Sequence, residues 1–544
     1  MREWSEMRTI GDLSLREKIG QMLVCGFDGH QPTDGIRDLI RQYGLGNIIY
    51  FSRNAGSVEQ VHRLSSELKQ WAAEHSDIPL GIAIDQEGGM VTRVTNGVTP
   101  LPGNMAIGAT RDESAAFELA RISGSELRLL GININFAPAV DINNNPLNPV
   151  IGVRSYGETP ELVSRMGVAA VRGFQSAGIA ATVKHFPGHG DTSVDSHFDI
   201  PVLPLDRKRL EQLELVPFKK AVEAGVDMVM TAHIVLPEIE PKKLPSTLSP
   251  AVITGILREE WGYDGIVITD CLEMDAIAAH YGVGPAAVMA VEAGVDLIMV
   301  SHRYDRQREA FEALLQAVID GRISEERIDR SVTRILRLKQ QRKMEEAMLP
   351  WEAVEPRLEA AEERRTAERI SEQSITVVKD EGKNLPLRRG ADTCVIWPVV
   401  RAANDADERY ADKETLASYL GSMGMQIVEN VVATNPTPEE IAQAVASSKG
   451  FGQVIVATYN AAFFPGQSKL VDELLAVHGK RLIVAAIRNP FDYSLFPEAG
   501  TYVCSYESRP LAMQSLARVL TGRVSPTGKL PVTLSTNFAF GWRG

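Results

Sequence analysis

The chain has 544 residues, of which 44% are hydrophobic and 23% are charged, and its formal net charge is −13. This length suffices for a large barrel plus a second domain, and the negative charge argues against a nucleic-acid partner. The sequence has no apolar run long enough to span a membrane. Residues 1–20 are charged throughout and lack a secretory signal, so we expect a cytoplasmic protein, or an extracytoplasmic one if the natural sequence begins further upstream.

The four cysteines are widely separated and form no Cys-x-x-Cys pair; they are Cys25, Cys271, Cys394 and Cys504. We therefore expect free, reduced thiols rather than a disulfide framework.

The C-terminal part also lacks the GxGxxG and GxxxxGK[ST] patterns, so a nucleotide cofactor has little support there.

Eight short β-rich runs alternate with helical stretches over residues 1–340, which predicts a (β/α)₈ barrel. An internal echo supports this, because residues 224–233 and 293–302 share one pattern of glycine turn and buried strand. The predicted strands are Gln21–Gly26, Asn47–Phe51, Leu80–Asp85, Asn133–Ala137, Ala181–His185, Asp227–His233, Ile266–Asp270 and Asp296–Ser301.

A change in composition follows the barrel. Residues 341–385 are rich in charge and interrupted by prolines, so we interpret them as a helical linker. Residues 386–544 are predicted to form a second α/β domain with a doubly wound sheet. Its predicted strands are Thr393–Val399, Gln426–Val432, Gln453–Thr458, Arg481–Ala486 and Thr501–Ser505.

Titratable side chains crowd into KHFPGHGDTSVDSH, residues 184–197, directly after an apolar strand. Barrel enzymes place their chemistry at the carboxyl ends of strands, because rigid strands hold the loops there. Carboxylate, Arg and Lys side chains near these ends suit a substrate rich in hydroxyls, since each can form several hydrogen bonds. A lysine at a strand end can also simply extend into water. The candidates for a polyol-binding cluster are Asp85, Arg93, Arg154, Lys184 and His185.

The same loop permits two other interpretations. His185, His189, Asp191, Asp195 and His197 have ligand types that suit Zn²⁺, although Pro187 and Gly188 prevent a shared helical face. Asp195 and His197 can instead form a carboxylate–imidazole pair for proton transfer, or be ordinary turn residues. A second signal is the run GIVITD, which ends in the lone carboxylate of Asp270.

Four motifs in this order resemble glycoside hydrolase family 3: IDQEGGxVxR, IGVRSYG, KHFPGHGDTxVDSH and VITDxLEM. The Asp-x-His loop is similar to the β-N-acetylglucosaminidase (β-N-acetylhexosaminidase) branch in its two-domain form. The motifs cover about residues 10–340, whereas the C-terminal match is less specific. The resemblance implies a TIM-type barrel followed by an α/β sandwich domain.

The resemblance also implies residue roles. Asp270 would be the nucleophile of a retaining double displacement, His197 the acid/base, and Asp195 the residue that orients His197. Met274 would line the acetamido pocket. The sugar hydroxyls would be bound by Asp85, Arg93, Arg154, Lys184 and His185.

We therefore expect an exo-β-N-acetylglucosaminidase acting on GlcNAc–MurNAc saccharides and muropeptides in peptidoglycan turnover, without a metal or other cofactor. We expect a monomer or weak homo-oligomer. A histidine acid/base repels anions less than a carboxylate does, so phosphorolysis stays open as a second reaction. The sequence also permits a β-glucosidase or a non-catalytic sugar-binding barrel.

Overall fold

The computed structural model describes residues 10–195, 200–402, 407 and 414–544. The described strands are β1 (Leu23–Cys25), β2 (Asn47–Tyr50), β3 (Gly81–Ile84), β4 (Gln86–Gly88), β5 (Val91–Thr92), β6 (Ile134–Asn135), β7 (Ala180–Phe186), β8 (Met228–Thr231), β9 (Ile266–Ile268), β10 (Ile298–Val300), β11 (Thr376–Asp380), β12 (Thr393–Pro398), β13 (Ile427–Val432), β14 (Gln453–Thr458), β15 (Leu482–Ala486) and β16 (Thr501–Cys504).

The described helices are α1 (Leu15–Gln21), α2 (Asp34–Tyr43), α3 (Val58–His75), α4 (Asn104–Thr110), α5 (Glu113–Leu129), α6 (Pro160–Ser176), α7 (Arg207–Gln212), α8 (Val216–Glu223), α9 (Asp275–Ala278), α10 (Val283–Ala293), α11 (Tyr304–Ile319), α12 (Glu325–Gln341), α13 (Trp351–Val354), α14 (Ala361–Ser374), α15 (Leu416–Ser422), α16 (Pro438–Ser448), α17 (Pro465–His478) and α18 (Pro510–Leu520). A π-type helix spans Ala251–Glu260. Within the described part of the chain, no helix is both long and apolar enough to cross a membrane.

The first sheet is the predicted barrel. Its described strands are parallel and follow the order β10-β1-β2-β3-β6-β7-β8-β9. The two ends meet where Ile268 bridges Leu297 and Thr269 N donates to Leu297 O at 3.0 Å. Each of the eight predicted strand positions holds one of these strands, so the prediction of an α/β barrel fold is confirmed.

Strand β7 carries Lys184 and His185 to the site. All seven of its residues are buried, as expected for a parallel strand covered on both faces. The preceding helix α6 begins where the Thr159 side chain accepts the Leu162 N–H and Pro160 takes the first turn. Gly178, at φ +80°, then turns the chain into β7, a left-handed conformation that favours glycine.

The second sheet has the order β11-β16-β15-β14-β12-β13 among the described residues. Five of these strands were predicted, and the prediction of a second α/β unit is confirmed. Strand β11, which pairs antiparallel with β16, was not predicted and lies inside the segment assigned to the linker. The domain boundaries at residues 340 and 385 stay a prediction.

The barrel and the second sheet are joined by a packed contact. Barrel residues Met90, Met105 and Val153 belong to the hydrophobic cluster that forms the core of the second sheet. Lys529 N donates to Ala109 O at 2.9 Å across the same boundary. The segments that follow β3 and β6 therefore contact both the barrel and the second domain.

Candidate active site

The predicted site residues lie at the carboxyl ends of barrel strands. Asp85 directly follows β3, Lys184 and His185 lie near the end of β7, and Asp270 lies two residues beyond β9. The strands are parallel, so all these positions lie on the face of the barrel where such folds carry their active sites.

A buried network of alternating charges occupies this face. Lys184 Nζ lies 2.6 Å from Asp85 Oδ1 and 2.7 Å from Glu87 Oε1. Arg154 binds Glu87 through two parallel hydrogen bonds, Nε to Oε2 at 3.0 Å and Nη2 to Oε1 at 2.7 Å. This bidentate geometry is the strong form of an Arg–carboxylate contact. Two cations thus share one buried carboxylate.

The network continues through a histidine. Arg154 Nη2 donates to His185 Nε2 at 3.3 Å, and His185 Nδ1 lies 2.8 Å from Asp141 Oδ2. Because Arg can only donate, Nε2 is the acceptor and the proton of His185 resides on Nδ1. Asp141 also accepts the backbone N–H of His189 at 2.7 Å. Burial opposes the charge of Asp141, but His185 and these hydrogen bonds lower its pKa below the ordinary value.

Arg93 lies on the other side of Asp85, with Nη2 3.9 Å from Asp85 Oδ2. Its backbone N–H donates to Gln86 Oε1 at 2.9 Å, which anchors the segment that carries it. The structure thus brings together all five residues proposed as a polyol-binding cluster. Their contact with a sugar stays a prediction.

Two members of the network were missed from the sequence. Glu87 lies inside the first motif but was given no role, and Asp141 was not assigned to the site. Burial alone would raise the pKa of Glu87, but Arg154 and Lys184 hold it well below its ordinary value. The available signal for Glu87 was a second carboxylate two residues after the strand-end Asp85.

The proposed catalytic residues are only partly described. Cys271 N donates to Asp270 Oδ1 at 2.7 Å, which orients that carboxylate. Asp195 is buried, whereas its predicted partner His197 lies outside the described residues. Met274 is buried and immediately precedes helix α9.

Two of the three histidines considered as metal ligands have other partners, and the third, His197, lies outside the described residues. His185 Nδ1 binds Asp141, and His189 Nδ1 lies 2.7 Å from Thr192 Oγ1. Burial lowers the pKa of His189 to about 4, so its ring is neutral near pH 7. Both histidines are therefore engaged in holding the loop.

A different group has ligand atoms close enough for a metal ion among the described residues, namely Cys271, Glu273 and His302. Burial raises the pKa of the Cys271 thiol to about 12, and metal ligation needs the thiolate. The Glu273 carboxylate already accepts the backbone N–H groups of His302 and Arg303. These contacts support a role for Glu273 in shaping the loop after β10.

Comparison with known proteins identifies the family of this chain. The family model described as the glycosyl hydrolase family 3 N terminal domain matches residues 14–338. Beta-hexosaminidase A of Pseudoalteromonas piscicida is 32% identical, covering 96% of this chain and 97% of that protein. Beta-hexosaminidase of Stenotrophomonas maltophilia (strain K279a) is 38% identical over 52% of this chain and 83% of its own length.

A solved structure extends the likeness to both domains. The glycoside hydrolase family 3 beta-N-acetylglucosaminidase from Paenibacillus sp. str. FPU-7 is 53% identical and superposes with a TM-score of 0.91, covering 96% of this chain and 99% of that one. The family match spans more than half of the sequence, and similarity to a whole relative spans nearly all of it. The chain therefore belongs to glycosyl hydrolase family 3.

Proposed function

We propose that this glycoside hydrolase is an exo-β-N-acetylglucosaminidase that removes terminal non-reducing β-GlcNAc from GlcNAc–MurNAc saccharides and muropeptides. The observation that carries the proposal is the buried charged network at the barrel's strand ends, in a chain 53% identical to a beta-N-acetylglucosaminidase. Such an enzyme would serve cell-wall turnover.

The first chemical step forms a glycosyl-enzyme. Asp270 attacks the anomeric carbon while the bond to the leaving oxygen breaks, and His197 gives that oxygen its proton. Asp195 orients the imidazole and stabilises its cationic form. The hydrogen bond from Cys271 N to Asp270 Oδ1 supports the proposal by fixing one oxygen of the nucleophile.

The second step releases the sugar. His197, now neutral, takes a proton from water, and the oxygen of that water attacks the anomeric carbon and displaces Asp270. Two inversions at one carbon return the β configuration. An imidazole suits both roles because its pKa lies close to neutral pH.

Recognition of the sugar is assigned to the charged network. Asp85 accepts hydrogen bonds from hydroxyls, while Lys184 and Arg154 donate them, and Glu87 keeps both cations in place between turnovers. Met274 is assigned to the acetamido group. Burial of the network makes each of these hydrogen bonds stronger than it would be in water.

A substrate panel tests the proposal. Purified protein is incubated with GlcNAc–MurNAc, a muropeptide, a β-N-acetylglucosaminide and a β-glucoside, each with and without phosphate, and the first-formed product is observed by proton NMR. We expect β-GlcNAc as the initial anomer, no dependence on phosphate, and little cleavage of the glucoside. An initial α anomer, GlcNAc-1-phosphate, or a preference for the glucoside would each contradict the proposal.

A further inference from the structure

A loop of the second domain forms hydrogen bonds to the barrel beside the charged network. This loop, residues 505–509, follows β16. Glu507 accepts the backbone N–H of Gly103 at 3.1 Å. Arg509 donates from Nε to Gly89 O at 3.0 Å and from Nη2 to Met90 O at 3.2 Å. Both side chains are buried, so these contacts form in a site shielded from water.

The turn that this loop contacts, Gly88–Met90, is too tightly packed for a side chain at Gly88 or Gly89. Gly88 and Gly89 have φ values of +96° and +55°, which favour glycine. A Cβ at Gly89 would lie 2.6 Å from both Glu507 Oε2 and Gly103 Cα, and a Cβ at Gly88 would lie 2.8 Å from Pro102 O. The second domain therefore approaches the backbone of this turn directly.

This turn directly follows Glu87, the carboxylate shared by Arg154 and Lys184. The segment that carries Glu87 is the short hairpin of β4 and β5, whose pairing is irregular between Gln86 and Gly88. A two-stranded hairpin has little stability of its own. Its position depends on what packs against its turn, and part of that packing comes from the loop of the second domain.

We propose that Glu507 and Arg509 are positioning residues of the sugar site, which hold the Gly88–Met90 turn so that Glu87 stays on Arg154 and Lys184. The proposal rests on the proposed function only for the identity of the sugar. It gives the second domain a part in substrate binding, although neither residue touches the reacting atoms. Two hydrogen bonds from Arg509 tie the carbonyl oxygens of Gly89 and Met90 to the second domain.

The burial of Glu507 fits this role. Burial raises the pKa of Glu507 to about 7, although the Gly103 N–H and Arg509 favour its ionised form. Burial of a carboxyl group costs free energy. A contact that only filled space would need no more than an apolar side chain.

The test compares two arginines at the same domain boundary. Arg509→Met removes the donors to the turn. Arg111→Met is the matched control, because Arg111 contacts the second domain at Leu530 O and over the Phe540 ring, 3.8 Å from its centroid. The measurements are KM and kcat for an activated β-N-acetylglucosaminide, Kd for N-acetylglucosamine, Tm, and hydrogen exchange over residues 86–103.

Arg509→Met is expected to raise KM and Kd about tenfold, with a smaller change in kcat, and to speed exchange at residues 86–103. We expect both Arg509→Met and Arg111→Met to lower Tm, and by similar amounts. Arg111→Met should leave KM, Kd and the exchange at residues 86–103 unchanged. Arg509→Lys retains the charge and a donor, so it should restore part of the affinity. The same variant provides the test if Arg509→Met does not fold.

Wild-type KM, Kd and exchange in both Arg509 variants would overturn the positioning role. Failure of the proposed function would look different, because the wild-type protein itself would then neither bind N-acetylglucosamine nor cleave its glycoside. Hydrogen exchange at the turn decides the positioning role in that case, since it needs no substrate.

Discussion

Two buried glutamates, one in each domain, lie next to the same turn and differ in their partners. Glu87 of the barrel lies 2.7 Å from each of two cations, which hold its pKa well below the ordinary value. Glu507 of the second domain accepts one backbone N–H and is attracted by the charge of Arg509. Burial nevertheless raises the pKa of Glu507 to about 7. Similar burial thus yields opposite shifts, and the number of close cations decides the sign.

In the proposed mechanism the barrel carries the reacting residues, and the second domain supports them. Changes at barrel strand ends should therefore abolish turnover. Changes in the second domain should act through binding, stability and pH. Loss of turnover from a change in the second domain, or a change at a strand end that affects only stability, would contradict this division.

The largest effect is expected for Asp270→Ala, because the proposed nucleophile is lost. We expect kcat on a p-nitrophenyl β-N-acetylglucosaminide to fall by ~10⁴-fold or more. Asp264→Ala is the control, since Asp264 lies at the opposite end of β9 and binds Arg334 and Arg337 at the surface. Turnover close to wild type in Asp270→Ala would refute the assignment.

Removal of the proposed acid/base should have a smaller effect that depends on the substrate. We expect His197→Ala to reduce kcat by ~10²–10⁴-fold on a saccharide substrate. The loss should be less for a p-nitrophenyl glycoside, whose leaving group needs no proton. Equal losses on both substrates would argue against proton transfer by His197.

Substitution of Glu87 should lower the stability of the protein. Glu87→Ala leaves the buried Arg154 and Lys184 without their shared anion, and we expect it to lower the free energy of unfolding by ~3–5 kcal/mol. Glu292→Ala is the control, because Glu292 forms a bidentate pair with the exposed Arg322, and such pairs contribute ~0–1 kcal/mol. Denaturant unfolding measures both, and equal losses would contradict the importance of burial.

The smallest predicted effect concerns pH and the second domain. The folded pKa of Glu507, about 7, lies above the ordinary 4.5, so its contribution to stability is fully present below about pH 4.5 and is lost as pH rises through 7. Glu507→Gln lacks this dependence. We expect the free energy of unfolding of the variant, relative to wild type, to rise by up to ~3 kcal/mol from pH 4.5 to pH 8.

Denaturant unfolding at several pH values checks this expectation. The comparison with wild type removes contributions that both proteins share, such as that of Asp492, whose pKa burial raises to about 6. A difference between the two proteins that does not change with pH would show that Glu507 titrates normally.

Local patterns predicted most of the architecture. Strands such as β7 and β15 are buried along their whole length, so they appear in the sequence as short, nearly continuous apolar runs. Strand β11 was missed because its neighbours are rich in charge and its partner β16 lies more than a hundred residues later. Pairing over such a distance leaves no local pattern.

The site shows the same limit. Local sequence patterns identified the barrel, the second α/β unit and carboxyl-end residues such as Asp85 and Lys184, and the motifs identified the family. They did not identify Glu87 as the shared partner of Arg154 and Lys184, or the contact of Arg509 with Gly89, 420 residues away. Backbone propensity and burial follow from neighbouring residues, whereas charge partners are decided only when the fold brings distant segments into contact and removes the water between them.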